Sequence, residues 1–139
     1  MQTSDEDLKR ILTETRVIAL VGWSPNVDRP SNKVAAYLVA KGYRVIPVNP
    51  GQAGTRVLGE VVRANLSDIT EPVDMVDIFR RSAEVGALVD EALRVLPGLK
   101  TIWMQLGVED ATAAAKARAG GVAVVMNRCP AIEIPRLGL

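Results

Sequence analysis

The chain has 139 residues, 48% of them hydrophobic and 24% charged, with a formal net charge of +1. That composition is ordinary for a folded domain with one substantial core, and the near-zero charge supplies no general attraction to nucleic acid. One cysteine, Cys129, excludes an internal disulfide, and the absence of histidine removes the usual zinc ligand and the usual general base.

The opening stretch MQTSDEDLKR is acidic and polar, unlike the basic and apolar start of a secretory leader. No apolar run approaches the roughly 20 residues of a membrane span. The expected setting is cytoplasmic, with neither a membrane nor a nucleic acid as partner. Ser4 and Asp7 have capping-box spacing, and Leu8, Ile11 and Leu12 form one stripe, so a short helix opens the chain. VIALV (17–21) follows as a continuous apolar run, the pattern of a strand covered on both faces. VIPV (45–48), VDMVDIF (73–79), TIWMQL (101–106) and VAVVM (122–126) repeat it, giving five expected strands.

Between the runs, Val34, Ala35, Leu38 and Val39 mark a helix face ahead of Gly42. Val85, Leu88, Val89, Ala92, Leu93 and Leu96 mark a second, stopped by Pro97-Gly98, and a third helix is expected over 109–119, closed by Gly120-Gly121. The stretch 51–72 fits a short helix or a loop equally. Residues 135–139 either hang free or cover a neighbouring subunit. Alternating strands and helices imply right-handed crossovers and a single α/β domain over 1–139. The expected fold is a three-layer, Rossmann-like, doubly wound sheet of five mainly parallel strands in the order 3-2-1-4-5, with helices on both faces.

Such sheets bind ligands beyond the carboxyl ends of their strands. The segments there are GWSPNVDRPS, NPGQAG, RRS, LGVED and NRCP, and Arg29, Lys33, Arg56, Arg80, Arg81 and Arg128 lie on or near that edge. Cations from five separated loops point to a polyanionic ligand. The first loop keeps only Gly22 of the G-x-G-x-x-G dinucleotide fingerprint. It is longer, and offers the Ser24 hydroxyl, the Arg29 guanidinium and the amides around Ser31 and Asn32 to phosphate. Where NAD enzymes place an acid for the ribose, this chain has Val48-Asn49-Pro50-Gly51, so an extra ribose phosphate would be tolerated.

VGWSPNVDRPSNKVAAYLVAKGYRVIPVNP, VDIFRRS, IWMQLG and VVMNRCPAIE, in that order, resemble the family of small stand-alone CoA-binding proteins, from about Leu8 to Glu133. That family is similar to the nucleotide-binding part of the succinyl-CoA synthetase α subunit and of ADP-forming acyl-CoA synthetases. The resemblance implies coenzyme A, free or acylated, as ligand. It sets Gly22, Ser24 and Arg29 near the phosphates, Val48, Asn49 and Pro50 beside the nucleotide, and Ile78, Phe79 and Arg80 along the same cleft. Gln52 stands where some relatives carry a basic residue, and Arg56 is the candidate substitute for seating the 3′-phosphate.

The ligand's pantetheine arm needs apolar walls and amide partners, for which Trp23, Phe79, Met104 and Gln105 are the candidates; Trp103 is expected in the core. Asp74 and Asp77, three apart in a strand, face opposite ways and make no metal pair. Glu84, Glu109 and Asp110 fit helix starts. Cys129, beside Arg128, fits a packing residue or a thiol able to form a mixed disulfide with the coenzyme. The related ligases need a phosphohistidine and further domains that this chain lacks, so no catalysis of its own and no metal are expected. The alternatives are an NAD(P)- or FAD-dependent oxidoreductase, for which Tyr37 and Lys41 have a Tyr-x-x-x-Lys spacing, and a protein-interaction module that no longer binds a ligand.

Overall fold

The computed structural model describes residues 3–139; Met1 and Gln2, the first of the stretch read for a leader, lie outside the described residues. Five strands form one parallel sheet: β1 (Val17–Val21), β2 (Arg44–Val48), β3 (Met75–Ile78), β4 (Thr101–Met104) and β5 (Ala123–Val125). Their spatial order is β2-β1-β3-β4-β5. The sheet is doubly wound and Rossmann-like, but the expected order 3-2-1-4-5 is corrected: the third strand lies on the far side of β1, and β2 is an edge.

Pro47 is the physical reason. A proline within a central parallel strand leaves one ladder bond unmade, so it is confined to edges. Here Pro47 lies opposite Leu20 of β1, and its carbonyl accepts from Arg63 N–H on the outer side. In a parallel strand the amide nitrogen of a residue points the same way as its carbonyl, so the missing donor faces the side where no full strand pairs.

The helices are α1 (Asp5–Glu14), α2 (Pro30–Ala40), α3 (Ser82–Val95), α4 (Ala111–Ala119) and α5 (Pro130–Arg136). No helix among the described residues is long and apolar enough to cross a membrane. Ser4 Oγ accepts from Asp7 N–H, the expected cap of α1, and Asp110 Oδ1 accepts from Ala113 N–H at the start of α4. Alternation along the strands splits the core into two layers. Ile18, Leu20, Met75, Trp103 and Val125 pack under α1, α2 and α5. Ala19, Val21, Val76, Ile78, Ile102 and Met104 pack under α3, α4 and the 3-10 turn Leu66–Asp68. Each fully buried Leu or Ile contributes about 1.5–3 kcal/mol.

Residues 51–72 hold a 3-10 turn, Pro50–Gln52, then a two-strand hairpin, Arg56–Val57 with Glu60–Val61. Ion pairs tie this hairpin to the sheet edge: Arg44 Nε to Glu60 at 2.8 Å, Arg44 Nη2 to Glu71 at 2.7 Å and Arg63 Nη2 to Glu71 at 2.9 Å. The carboxyl tail does not hang free. Residues 130–136 are helical and pack on α1 and α2, and Lys41 Nζ donates to Leu139 O at 3.1 Å, which holds the tail against the end of α2. Pro130 sits at the first helical position, where its fixed φ fits and its missing N–H costs nothing.

Candidate functional site

Strand order sets the place. β1 is followed by α2 and β2 on one side and has β3 on the other, so the crevice opens between the loops after β1 and β3. A cavity of about 470 Å³ lies there, lined by Gly22, Trp23, Ser24, Arg29, Pro30, Ser31 and Asn49, and by Phe79, Arg80, Arg81 and Glu84. A groove of about 430 Å³ joins it through Gly22, Arg80 and Glu84, and adds Val21, Val48, Pro50, Asn65, Leu66 and Leu88. The first space is polar with guanidinium groups; the second is largely apolar.

The loop after β1 is shaped by its own polar side chains. Ser24 N–H donates to Ser31 Oγ at 3.0 Å, Asn26 N–H to Ser24 Oγ at 3.1 Å, and Asn32 Nδ2 to Ser24 O at 2.9 Å. Asn49 Nδ2 donates to Trp23 O at 2.7 Å and Asn49 Oδ1 accepts from Gly51 N–H, which locks the first loop to the second. At the N-cap of α2 stands Arg29, whose side chain makes no capping bond. The positive end of that helix therefore opens into the cavity beside Arg29, an arrangement suited to phosphate.

Arg80 is held by Glu84, with Nη2–Oε1 at 2.6 Å and Nε–Oε2 at 3.2 Å. Glu84 also accepts from Arg81 N–H, as expected of an acid at a helix start. The hydrogen bond from Arg80 holds the Glu84 carboxyl below its usual range, against a small effect of burial. A charged ligand competing for Arg80 would work against this pair.

Of the residues singled out from the sequence, Gly22, Trp23, Ser24, Arg29, Ser31, Asn49, Phe79 and Arg80 share the cavity, and Val48 and Pro50 line the groove. Ile78 and Gln105 do not line either space, and Met104 is fully buried. Ile78 points into the layer under α3. Gln105 N–H bonds Ile78 O, which keeps this residue in line with the sheet and its side chain inside. The expected strand order would have made the β4 loop the partner of the first loop; the observed order gives that role to 79–81. Arg81, placed at the ligand edge from the sequence, joins the cavity, and Glu84 and the turn at Asn65–Leu66 are the additions. The signal for Arg81 was its place in the RRS segment, whereas nothing local marked Asn65 or Leu66.

The other cations do not all gather. Arg128 lines a separate cavity of about 510 Å³ with Glu109, Arg118 and Asn127 and is engaged by Glu133. Arg56 opens the hairpin and is exposed, as is Lys33. Tyr37 and Lys41 lie toward the far end of α2, where Lys41 Nζ donates to Leu139 O, so their spacing places them away from this crevice. Cys129 is buried in the layer with Trp103, whose Nε1 donates to Arg128 O at 2.7 Å.

Asp74 accepts from Arg16 and Val17 N–H, each at 2.9 Å, at the start of the sheet. Asp77 is fully buried with no hydrogen-bond partner among the described residues, and burial pushes its carboxyl well above the usual range. The folded protein keeps Asp77 protonated where the unfolded chain, near the ordinary aspartate value of 3.8, has released the proton. Its contribution to stability is thus complete below about pH 4 and falls as pH rises, by about 1.4 kcal/mol per unit, until the folded carboxyl ionises. Asp77→Asn removes that slope. Urea denaturation of both proteins from pH 4 to 7 should show the variant gaining on the wild type as pH rises; parallel curves would contradict the neutral carboxyl.

A doubly wound α/β domain with an arginine-lined crevice at its topological switch point is the class that this fold and site define. Residues 16–135 match the model of the CoA binding domain, and the chain belongs to that family. The uncharacterized protein YneT of Bacillus subtilis (strain 168) is 32% identical over 126 residues, 91% of this chain and 90% of its own length. A hypothetical protein of Pyrococcus horikoshii OT3 superposes with a TM-score of 0.89 at 36% identity, covering 99% of this chain and 94% of that one. The acetyl-coenzyme A synthetase 1 of Ca. Korarchaeum cryptofilum shares the fold at 22% identity, with a TM-score of 0.66 over 85% of this chain and 27% of that chain.

Proposed function

We propose that this protein binds coenzyme A or an acyl-coenzyme A without catalysing a reaction on it, and acts in the cytoplasm as a sensor, carrier or regulator of thioester metabolism. The observation that carries the reading is the joining of two unlike spaces at the switch point. Arg29, Arg80, Arg81 and the open end of α2 suit a ligand bearing roughly three to four negative charges near neutral pH, as a diphosphate with a ribose phosphate does. The groove beside Val48, Pro50, Leu66 and Leu88 suits a flat base. Asn49, in place of an acid, repels no ribose phosphate.

Thermal shift with coenzyme A, acetyl-coenzyme A, NADH, NADPH and FAD tests this. At a hundred times its dissociation constant the true ligand adds about 2.7 kcal/mol of stability. A coenzyme A response is expected; preference for a nicotinamide or flavin cofactor would point to the oxidoreductase, and no response to any would point to the interaction module. Arg29→Ala should weaken coenzyme A about 10-fold or more, since a hydrogen bond to a charged group is worth about 1.5–3 kcal/mol. Unchanged affinity by titration calorimetry would remove Arg29 from the site.

A further inference from the structure

The cavity of about 510 Å³ beyond β5 has no part in the arginine-lined crevice. It runs down the outer edge of the sheet. Glu109, Ala111 and Asn127 stand at its upper end, where β4 and β5 finish and α4 begins, whereas Thr3 and Arg118, in the last turn of α4, line it lower down. Arg118 Nη2 and Thr3 Oγ1 both donate to Val124 O, at 3.5 and 3.2 Å. Among the described residues Arg118 has no acidic partner, while Arg128 on the same wall is engaged by Glu133.

The two spaces adjoin. Ser82 follows Arg81 of the crevice, and its Oγ accepts from the N–H of Glu109 in the far cavity at 3.0 Å. Asn127 Oδ1 accepts from Gly107 N–H at 2.7 Å, which joins the loops after β4 and β5 into one rim. On that rim Leu106 is 54% exposed, an apolar side chain that strand order sets between the crevice and the far cavity.

Lengths decide what reaches this cavity. From the crevice between β1 and β3 to β5 is about two and a half strand spacings, or about 12 Å. The groove at Val48 and Pro50 takes the base on the β2 side, which sends the arm of the ligand the other way, across β4. From diphosphate to sulfur that arm has about as many bonds as four residues of extended chain, so it spans about 14 Å. Its sulfur thus arrives at the mouth of the far cavity. Val124 lies about 7 Å down the strand from Met126, the reach of an acyl chain of about five carbons. Met126 and Ala111 offer its methylenes apolar contact, and the Arg118 guanidinium at Val124 presents the planar fork that a carboxylate fits.

We propose that the cavity beyond β5 is an acyl site selective for coenzyme A thioesters of short dicarboxylic acids, with Arg118 receiving the free carboxylate. This rests on the coenzyme A reading above and names which form of the coenzyme the protein favours. Glu109 also lines the cavity, and its charge opposes such a tip. It precedes α4, however, and so stands about 10 Å or more along the helix axis from Arg118, where an exposed charge is largely screened.

Calorimetric titration with coenzyme A, hexanoyl-coenzyme A and glutaryl-coenzyme A tests the site; the two acyl chains are alike in length, and only glutaryl has a charged tip. Wild type should bind the glutaryl compound about 10-fold more tightly than the hexanoyl one, as a hydrogen bond to a charged group requires. Arg118→Gln, at an exposed position, should lose that preference and keep its affinity for coenzyme A itself. Lys116→Gln, which removes a cation of the same helix that is paired with Asp90, should keep the preference. Equal wild-type affinity for the two acyl compounds, an unchanged preference in Arg118→Gln, or an equal loss in Lys116→Gln overturns the acyl site and leaves the coenzyme A reading standing. If wild type binds none of the three, the coenzyme A reading itself fails and the acyl site with it.

Discussion

Gly22→Val is expected to cost about 3 kcal/mol or more and to abolish ligand binding in whatever fraction remains folded. Gly22 has φ +90°, and a Cβ there would lie 2.6 Å from the Phe79 carbonyl oxygen and 3.1 Å from its carbon. Both are backbone atoms at the end of β3, and Phe79 N–H is itself bonded to Val21 O. Gly22 cannot retreat, because its own N–H donates to Val48 O at 3.0 Å on the other side. A β-branched residue adds the strain of a positive φ, on the order of 1–3 kcal/mol, to that collision. The glycine is there so that two neighbouring strands can end at one point, which is also the floor of the crevice. Gly22→Ala should fall between the two. Against a typical total stability of about 5–15 kcal/mol, the loss is large enough to read from a urea midpoint; a wild-type midpoint in Gly22→Val would show that the loop yields.

Glu133→Gln should destabilise the protein by about 2–3 kcal/mol at pH 7. The Glu133 side chain is 5% exposed and takes Arg128 on one oxygen and Arg136 Nε at 3.1 Å on the other. Arg136 also grips Asp5 of α1 at 2.8 and 3.2 Å, so one buried carboxylate joins the β5 loop, α5 and α1. Removing it leaves two guanidinium groups without their central partner; fully buried pairs broken in this way cost about 3–5 kcal/mol, and the partial exposure of both arginines lowers the figure. Burial pushes the Glu133 carboxyl up, but the hydrogen bonds from Arg136 and Arg128 outweigh it and hold its pKa below the ordinary glutamate value of 4.5. A depressed carboxyl stabilises above its unfolded pKa and loses that contribution as pH falls through the folded one. The gap between wild type and Glu133→Gln should therefore close below about pH 4, opposite in sense to Asp77. Equal stability of the two proteins at pH 7 would refute the role of this junction.

The two carboxyl groups show why local reading reaches only so far. Asp77 and Glu133 both carry apolar neighbours along the chain and both have arginines within five residues, Arg80 and Arg81 for the first and Arg128 and Arg136 for the second, yet only Glu133 is paired with its own. Arg128, Arg136 and Asp5 decide it, and Asp5 is 131 residues from Arg136. Likewise α5, with Pro135 inside it, carries no helical stripe that the sequence reading used; its stability comes from packing on α1 and α2 and from the Glu133 junction.

By itself the sequence determined the five apolar runs, the helical stripes between them, the parallel doubly wound class and the extended loop after the first strand, because each depends on periodicity or on residues adjacent along the chain. The tertiary structure alone decided which strand neighbours β1, hence why the loop after β3, which the family resemblance set along the cleft, faces Gly22 while the loop after β4 does not, and hence which of the arginines converge. Strand order follows from contacts between residues tens of positions apart, and the one local clue to it, Pro47 on an edge, carries its meaning only once the hydrogen bonds on either side of it are known.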